Sequence, residues 1–127
     1  MQKFLFCFFL GIANFCFAWT LYPGTYDLSG CTADGTPYDG EVVIRRQGSN
    51  YHVEWFTGGR SLQTGVGIFD SNESVLSVAF ADPSNIHGWG VASYRVNFWG
   101  DLEGRWAFHN SHTSGVDRLV WKNSYTY

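Results

Sequence analysis

An eight-stranded antiparallel up-and-down β-barrel is the fold this sequence predicts, and three observations predict it. Apolar and polar residues alternate at period two from Gly24 to Lys122, no stretch sustains helical periodicity, and glycine or turn residues interrupt the alternation often enough that most joins are short. Short joins make successive strands antiparallel neighbours, and closing an eight-stranded meander removes its exposed edges while leaving room inside for side chains or one small ligand. A two-sheet β-sandwich is the alternative arrangement of the same strands.

The first strand is predicted over Gly24 to Gly30 and ends in the turn-forming run Ala33-Asp34-Gly35-Thr36-Pro37. The second, Tyr38 to Gln47, sets Val42 and Ile44 on one face and Val43 and Arg45 on the other, before Gly48-Ser49-Asn50 turns the chain. Tyr51 to Thr57 is the clearest half-buried strand, with Tyr51, Val53 and Trp55 against His52, Glu54 and Phe56. Gly58-Gly59 is a tight hairpin signal. A fourth strand, Ser61 to Phe69, contains Gly65-Val66-Gly67, where glycines imply a bend or a close backbone approach. The fifth, Ser74 to Phe80, holds Leu76, Val78 and Phe80 in phase, and residues 81–85 form the expected loop. The sixth, Trp89 to Phe98, sets Ala92, Tyr94, Val96 and Phe98 against Ser93, Arg95 and Asn97. Leu102, Gly104, Trp106 and Phe108 share a face of the seventh, Leu102 to Phe108. The eighth, Gly115 to Lys122, sets Leu119 and Trp121 on one face and Val116 and Val120 on the other.

Residues 1–18 have the order of parts of a signal peptide: a positive start at Lys3, an apolar run through Phe9, Leu10 and Ile12, and Cys16-Phe17-Ala18 before the expected cut. A buried N-terminal helix is the alternative. Cleavage after Ala18 would leave residues 19–127 as a single domain, secreted or periplasmic. Two of the three cysteines, Cys7 and Cys16, would leave with the leader, so Cys31 would have no partner for an internal disulfide. Lys3 goes too, leaving eleven acidic against seven basic residues, a balance that argues against nucleic acid as a partner. The leader's apolar run is shorter than the roughly 20 residues of a membrane helix, and Glu54, Arg95 and Arg105 interrupt any lipid-facing band on the strands. No integral span is expected in the mature chain.

The motifs Gly24-x-Tyr26, Asp34-Gly35-x-x-Tyr38-x-Gly40-x-Val42-x-Ile44, Tyr51-x-Val53-x-Trp55, Gly65-x-Gly67, Tyr94-x-Val96, Leu102-x-Gly104-x-Trp106 and Gly115-Val116-Asp117-x-Leu119 run through nearly the whole mature chain. In these it resembles a family of small exported, largely uncharacterised bacterial proteins, some labelled fibronectin-binding. A weaker similarity is to avidin and lipocalin barrels. Avidin-like chains carry Gly-x-Trp early in the first strand, where this one has Gly24-Thr25-Tyr26, so biotin binding is not implied.

Little in the residues points to catalysis. There is no Gly-x-Ser-x-Gly elbow and no phosphate-cradling glycine loop, and Cys31 has no neighbouring histidine. His109 and His112, with Asp117, are the weak candidates for a zinc or copper site; a solvated hairpin loop explains the histidines better, and no cofactor is implied. Arg45, Arg46, Arg95 and Arg105 are expected to face solvent, the alternative being that some point into the barrel and pair with Glu41, Glu54, Glu103 or Asp117. The tryptophans are the best lead. Trp55 and Trp106, with Tyr94, point inward, where they can fill the core or stack on a ligand. Trp89, Trp99 and His87 are candidates for an exposed aromatic rim that meets a protein partner. The preferred expectation is therefore a non-catalytic binding module engaging a host-matrix or envelope partner. Its alternative is a carrier of a small apolar ligand held inside the barrel.

Overall fold

The computed structural model describes residues 19–58 and 60–123. The leader reading of residues 1–18, with Cys7 and Cys16, lies outside the described residues. The strands are β1 (Gly24–Cys31), β2 (Pro37–Gln47), β3 (Asn50–Thr57), β4 (Arg60–Asp70), β5 (Val75–Asp82), β6 (Asn85–Val96), β7 (Leu102–Phe108) and β8 (Gly115–Asn123). Each pairs antiparallel with the next, and β1 pairs with β8 from Thr25 opposite Asn123 to Cys31 opposite Val116, so the sheet closes into a barrel and is not a sandwich.

Closure has a sequence cause. At Gly40, Gly65, Gly90 and Gly104 an added Cβ would lie 2.0 to 2.4 Å from a carbonyl oxygen of the neighbouring strand. These are the glycine kinks that let a sheet coil tightly enough to meet itself. The hairpin joining β2 to β3 has two loop residues, and Gly48, at φ 63°, occupies the first of them, where a type II′ turn needs a positive φ.

Alternation then sorts the side chains. Tyr26 and Leu28, Val42 and Ile44, Tyr51, Val53 and Trp55, Leu76, Val78 and Phe80, Ala92, Tyr94 and Val96, Leu102 and Leu119 make one buried core. The two ends of the barrel differ. At the end carrying the β2–β3, β4–β5 and β6–β7 turns, the segment before β1 folds in as a plug: Leu21 is buried, the Trp19 backbone N–H donates to Ser74 Oγ at 2.8 Å, and Tyr26 donates its hydroxyl to the Tyr22 carbonyl. The opposite end has no such plug among the described residues.

Two expectations need correction. The strand expected over Trp89 to Phe98 starts at Asn85 and stops at Val96, and Phe98 is 65% exposed, not part of the inward set. Asn97 is the reason: its Oδ1 accepts the backbone N–H of Trp99 and of Asp101, which starts a turn in place of the strand, and Gly100 completes it at φ 85°. The join between β5 and β6 shrinks accordingly, because Ala81, Asp82 and Asn85 belong to strands. Trp121 shares the phase of Leu119 but is 41% exposed, beside the point where the β1–β8 register shifts between Thr25 and Tyr26.

Candidate functional site

At the unplugged end the interior holds a cavity of about 300 Å³, lined by Leu28, Tyr38, Trp55, Leu62, Phe80, Tyr94, Trp106, Phe108 and Asp117, with Thr32, Thr57 and Gln63 toward the mouth. Its wall is an arc of rings in edge-to-face or tilted contact. Trp55 meets Phe80 at 5.5 Å between centroids, Phe80 meets Phe108 at 5.8 Å, Phe108 meets Trp106 at 5.4 Å, and Trp106 meets Tyr38 at 6.3 Å. Such geometries suit the quadrupoles of the rings and hold the wall in shape without a ligand.

The arc ends on a polar floor. Asp117, 6% exposed, accepts the hydroxyl of Tyr38 on Oδ1 and that of Tyr94 on Oδ2 at 2.7 Å. Trp106 Nε1 donates to the Tyr38 hydroxyl oxygen at 2.6 Å, so indole, phenol and carboxylate form one directed chain. Glycines make this convergence possible. Gly30 lies between Tyr38 and Asp117 in the register, and Gly104 between Tyr94 and Asp117. A Cβ at Gly30 would fall 2.5 Å from the Tyr38 ring, one at Gly104 would fall 2.7 Å from Tyr94 Cδ1, and one at Gly115 would fall 2.4 Å from the Trp106 ring. Each ring therefore crosses the bare backbone of a glycine on the next strand to reach the floor.

Burial drives the electrostatics here. It raises the Asp117 carboxyl above its usual range, against the opposing effect of the tyrosine hydroxyls. The Tyr38 and Tyr94 phenols are both pushed far up, first by burial and then by the carboxylate beside them, so they remain protonated donors. Among the described residues Asp117 is the only one on the cavity lining with a formal charge. A carboxyl whose folded-state pKa is raised loses folding stability as pH climbs from the ordinary carboxylate range through the raised value. Asp117→Asn keeps an acceptor for one tyrosine, while Tyr38 has the Val116 carbonyl at 3.2 Å as a second acceptor. The variant is expected to be the more stable protein at pH 7, with the difference shrinking as the solution is acidified. Urea midpoints at a series of pH values check this; a variant less stable at pH 7 would refute it.

The inward trio expected from the sequence, Trp55, Trp106 and Tyr94, is brought together here. Tyr38, Phe80, Phe108 and the floor role of Asp117 were not anticipated. The rim is different. Trp89 pairs with Ala81 near the cavity end and stacks on His109 at 4.4 Å, with His87 alongside His109, whereas Trp99 sits in the turn after β6 at the plugged end, against Phe98. Trp89 and Trp99 thus face opposite ends of the barrel and form no common surface. Asp117 is buried inside while His109 stacks outside, and among the described residues no three potential ligands meet to hold a metal, so the set of His109, His112 and Asp117 is not assembled. Among the described residues no helix is long and apolar enough to cross a membrane. Arg46, Arg95 and Arg105 are exposed, as expected of outward charges.

No protein-family model matches the chain, nor does any curated protein. Solved structures do. A redesigned β-barrel superposes with a TM-score of 0.68 at 15% identity, over 87% of this chain and 100% of its own. A de novo designed fluorescence-activating barrel does so with a TM-score of 0.60 at 16% identity, over 80% of this chain and 94% of its own. A redesigned barrel bound to the small molecule DFHBI gives 0.60 at 12% identity, over 79% and 94%. At these identities the likeness is one of fold, and it agrees with the closed all-antiparallel β-barrel described above.

Proposed function

We propose that the protein is a non-catalytic carrier that takes a small, flat, largely apolar ligand into the aromatic end of the barrel. One observation carries this reading: about 300 Å³ of space walled by five rings and floored by a single polar cluster. Interiors of folded proteins pack to crystal-like density, so a stability-only barrel would fill that space with side chains. The volume lies at the lower end of the range for small-molecule sites, about 300–1,000 Å³, and apolar walls with few convergent polar groups are their usual make-up. A designed barrel of similar fold holds DFHBI, which supports the capacity of this architecture to take a small molecule. The leader-like order of residues 1–18 supports a site of action outside the cytoplasm as part of this proposal. A protein-docking rim finds less support, since its two tryptophans lie at opposite ends.

The test is titration with the uncharged dye N-phenyl-1-naphthylamine, read by dye emission and tryptophan quenching. One dye per chain is expected. Trp106→Ala should weaken binding about tenfold or more through the lost ring contact, and Leu62→Trp should block entry. Trp99→Ala, at the plugged end, should change nothing. Binding that ignores Trp106→Ala and Leu62→Trp would sink the carrier reading.

A further inference from the structure

The floor of the cavity says more about the ligand than its walls do. Among the described residues Asp117 carries the only formal charge on the lining, and no ion pair among them engages it. The side chains described as donating to its carboxylate are neutral, the Tyr38 hydroxyl from β2 and the Tyr94 hydroxyl from β6, and beyond Tyr38 stands the Trp106 indole from β7. Two donors aim their protons at its two oxygens, which suits an ionised carboxylate held in one orientation. An isolated buried charge is costly and is normally compensated by a counter-charge, which the unliganded cavity does not provide. The residues around it are those that attract cations. Indole and phenol faces draw ammonium groups, most strongly where water is excluded, and Trp55, Trp106, Phe80, Phe108 and Tyr38 line this space.

Building on the carrier reading, we propose that the natural ligand is a small organic amine bound as its ammonium cation. The charged nitrogen sits between the Asp117 carboxylate and the aromatic wall, and the carbon body extends toward Leu62 and the mouth. The cation supplies the counter-charge that the floor lacks, and the two tyrosines keep the carboxylate facing it. Alcohols and carboxylic acids of the same shape are discriminated against, the first for want of charge and the second by repulsion from Asp117.

Three probes of one shape test this: phenethylamine, 2-phenylethanol and phenylacetate, each titrated calorimetrically into the protein at neutral pH. The amine is expected to bind at least tenfold tighter than the alcohol, with phenylacetate weakest. In Asp117→Asn the amine should lose at least about 30-fold, as expected when one partner of a buried charge pair is removed, while the alcohol changes less than about threefold. Acidification through the Asp117 titration should weaken the amine in the wild-type protein and leave the variant flat. The wild-type series alone decides the matter if the variant fails to fold. An alcohol that binds as well as the amine, or an amine indifferent to Asp117→Asn, overturns the proposal while leaving a carrier. Failure of all three probes together with the naphthylamine dye overturns the carrier itself.

Discussion

Replacing Gly104 with alanine is expected to destabilise the barrel by about 2–3 kcal/mol and to dismantle the floor of the cavity, because the new methyl has no place to go. Its Cβ would sit 2.0 Å from the Ser93 carbonyl oxygen in the backbone of β6 and 2.7 Å from Tyr94 Cδ1. A ladder carbonyl cannot move without breaking the β6–β7 pairing that joins Tyr94 to Gly104. Tyr94 cannot stay either, since its ring crosses Gly104 on the way to Asp117. The lesion should therefore lower the urea midpoint and also reduce phenethylamine binding in whatever folded protein remains. Gly30→Ala is the informative contrast. There the nearest obstruction is the Tyr38 ring, a side chain that can swing away, so binding should suffer more than stability. If Gly104→Ala unfolds at the wild-type midpoint, the crossing of Tyr94 over bare backbone is not what holds the floor together.

The other large effect belongs to the plugged half. Leu119 is fully buried and lies opposite Leu28 on one side and Leu102 on the other, where β8 meets both β1 and β7. Truncation to alanine removes the packing that ties the closing strand to both neighbours and leaves a void that a closed barrel has little freedom to collapse around. A loss of about 2–5 kcal/mol is expected, seen as a lower urea midpoint at an unchanged slope. A loss below about 1 kcal/mol would show that the seam between β1 and β8 closes without this side chain. Dye binding by the folded fraction should persist, since Leu119 does not line the cavity.

How much of this was legible in the sequence differs from residue to residue. The inward direction of Trp55, Trp106 and Tyr94 followed from alternation, because a strand turns successive side chains to opposite faces whatever its neighbours are. Tyr38 could be placed at the start of a strand but not in a site. What it touches depends on Gly30 and Asp117, 87 residues apart in sequence and adjacent only because β1 pairs with β8. A usable signal did exist in the glycines at inward positions, Gly104 between Leu102 and Trp106 above all, since a missing side chain on the inner face marks where a neighbour's ring crosses. Phe98 misled because its period-two phase was right while Asn97 had already begun a turn. Trp89 and Trp99 were grouped by composition, and only their positions at the two ends of β6 separate them.

By itself the sequence determined the all-β class, the eight strands, most of the inward and outward assignments and the glycine positions at which the sheet can bend. These follow from local rules: the two-residue repeat of a strand, the turn preferences of glycine, asparagine and aspartate, and the burial of apolar side chains. Only the tertiary structure decided that one end is plugged by Leu21 and the other keeps a cavity, and that two tyrosines from two strands meet on one buried carboxylate with the Trp106 indole from a third behind Tyr38. Those outcomes depend on register and closure, which are properties of strand pairs distant in sequence, and a one-residue change in pairing would send each of those side chains to the other face of the sheet.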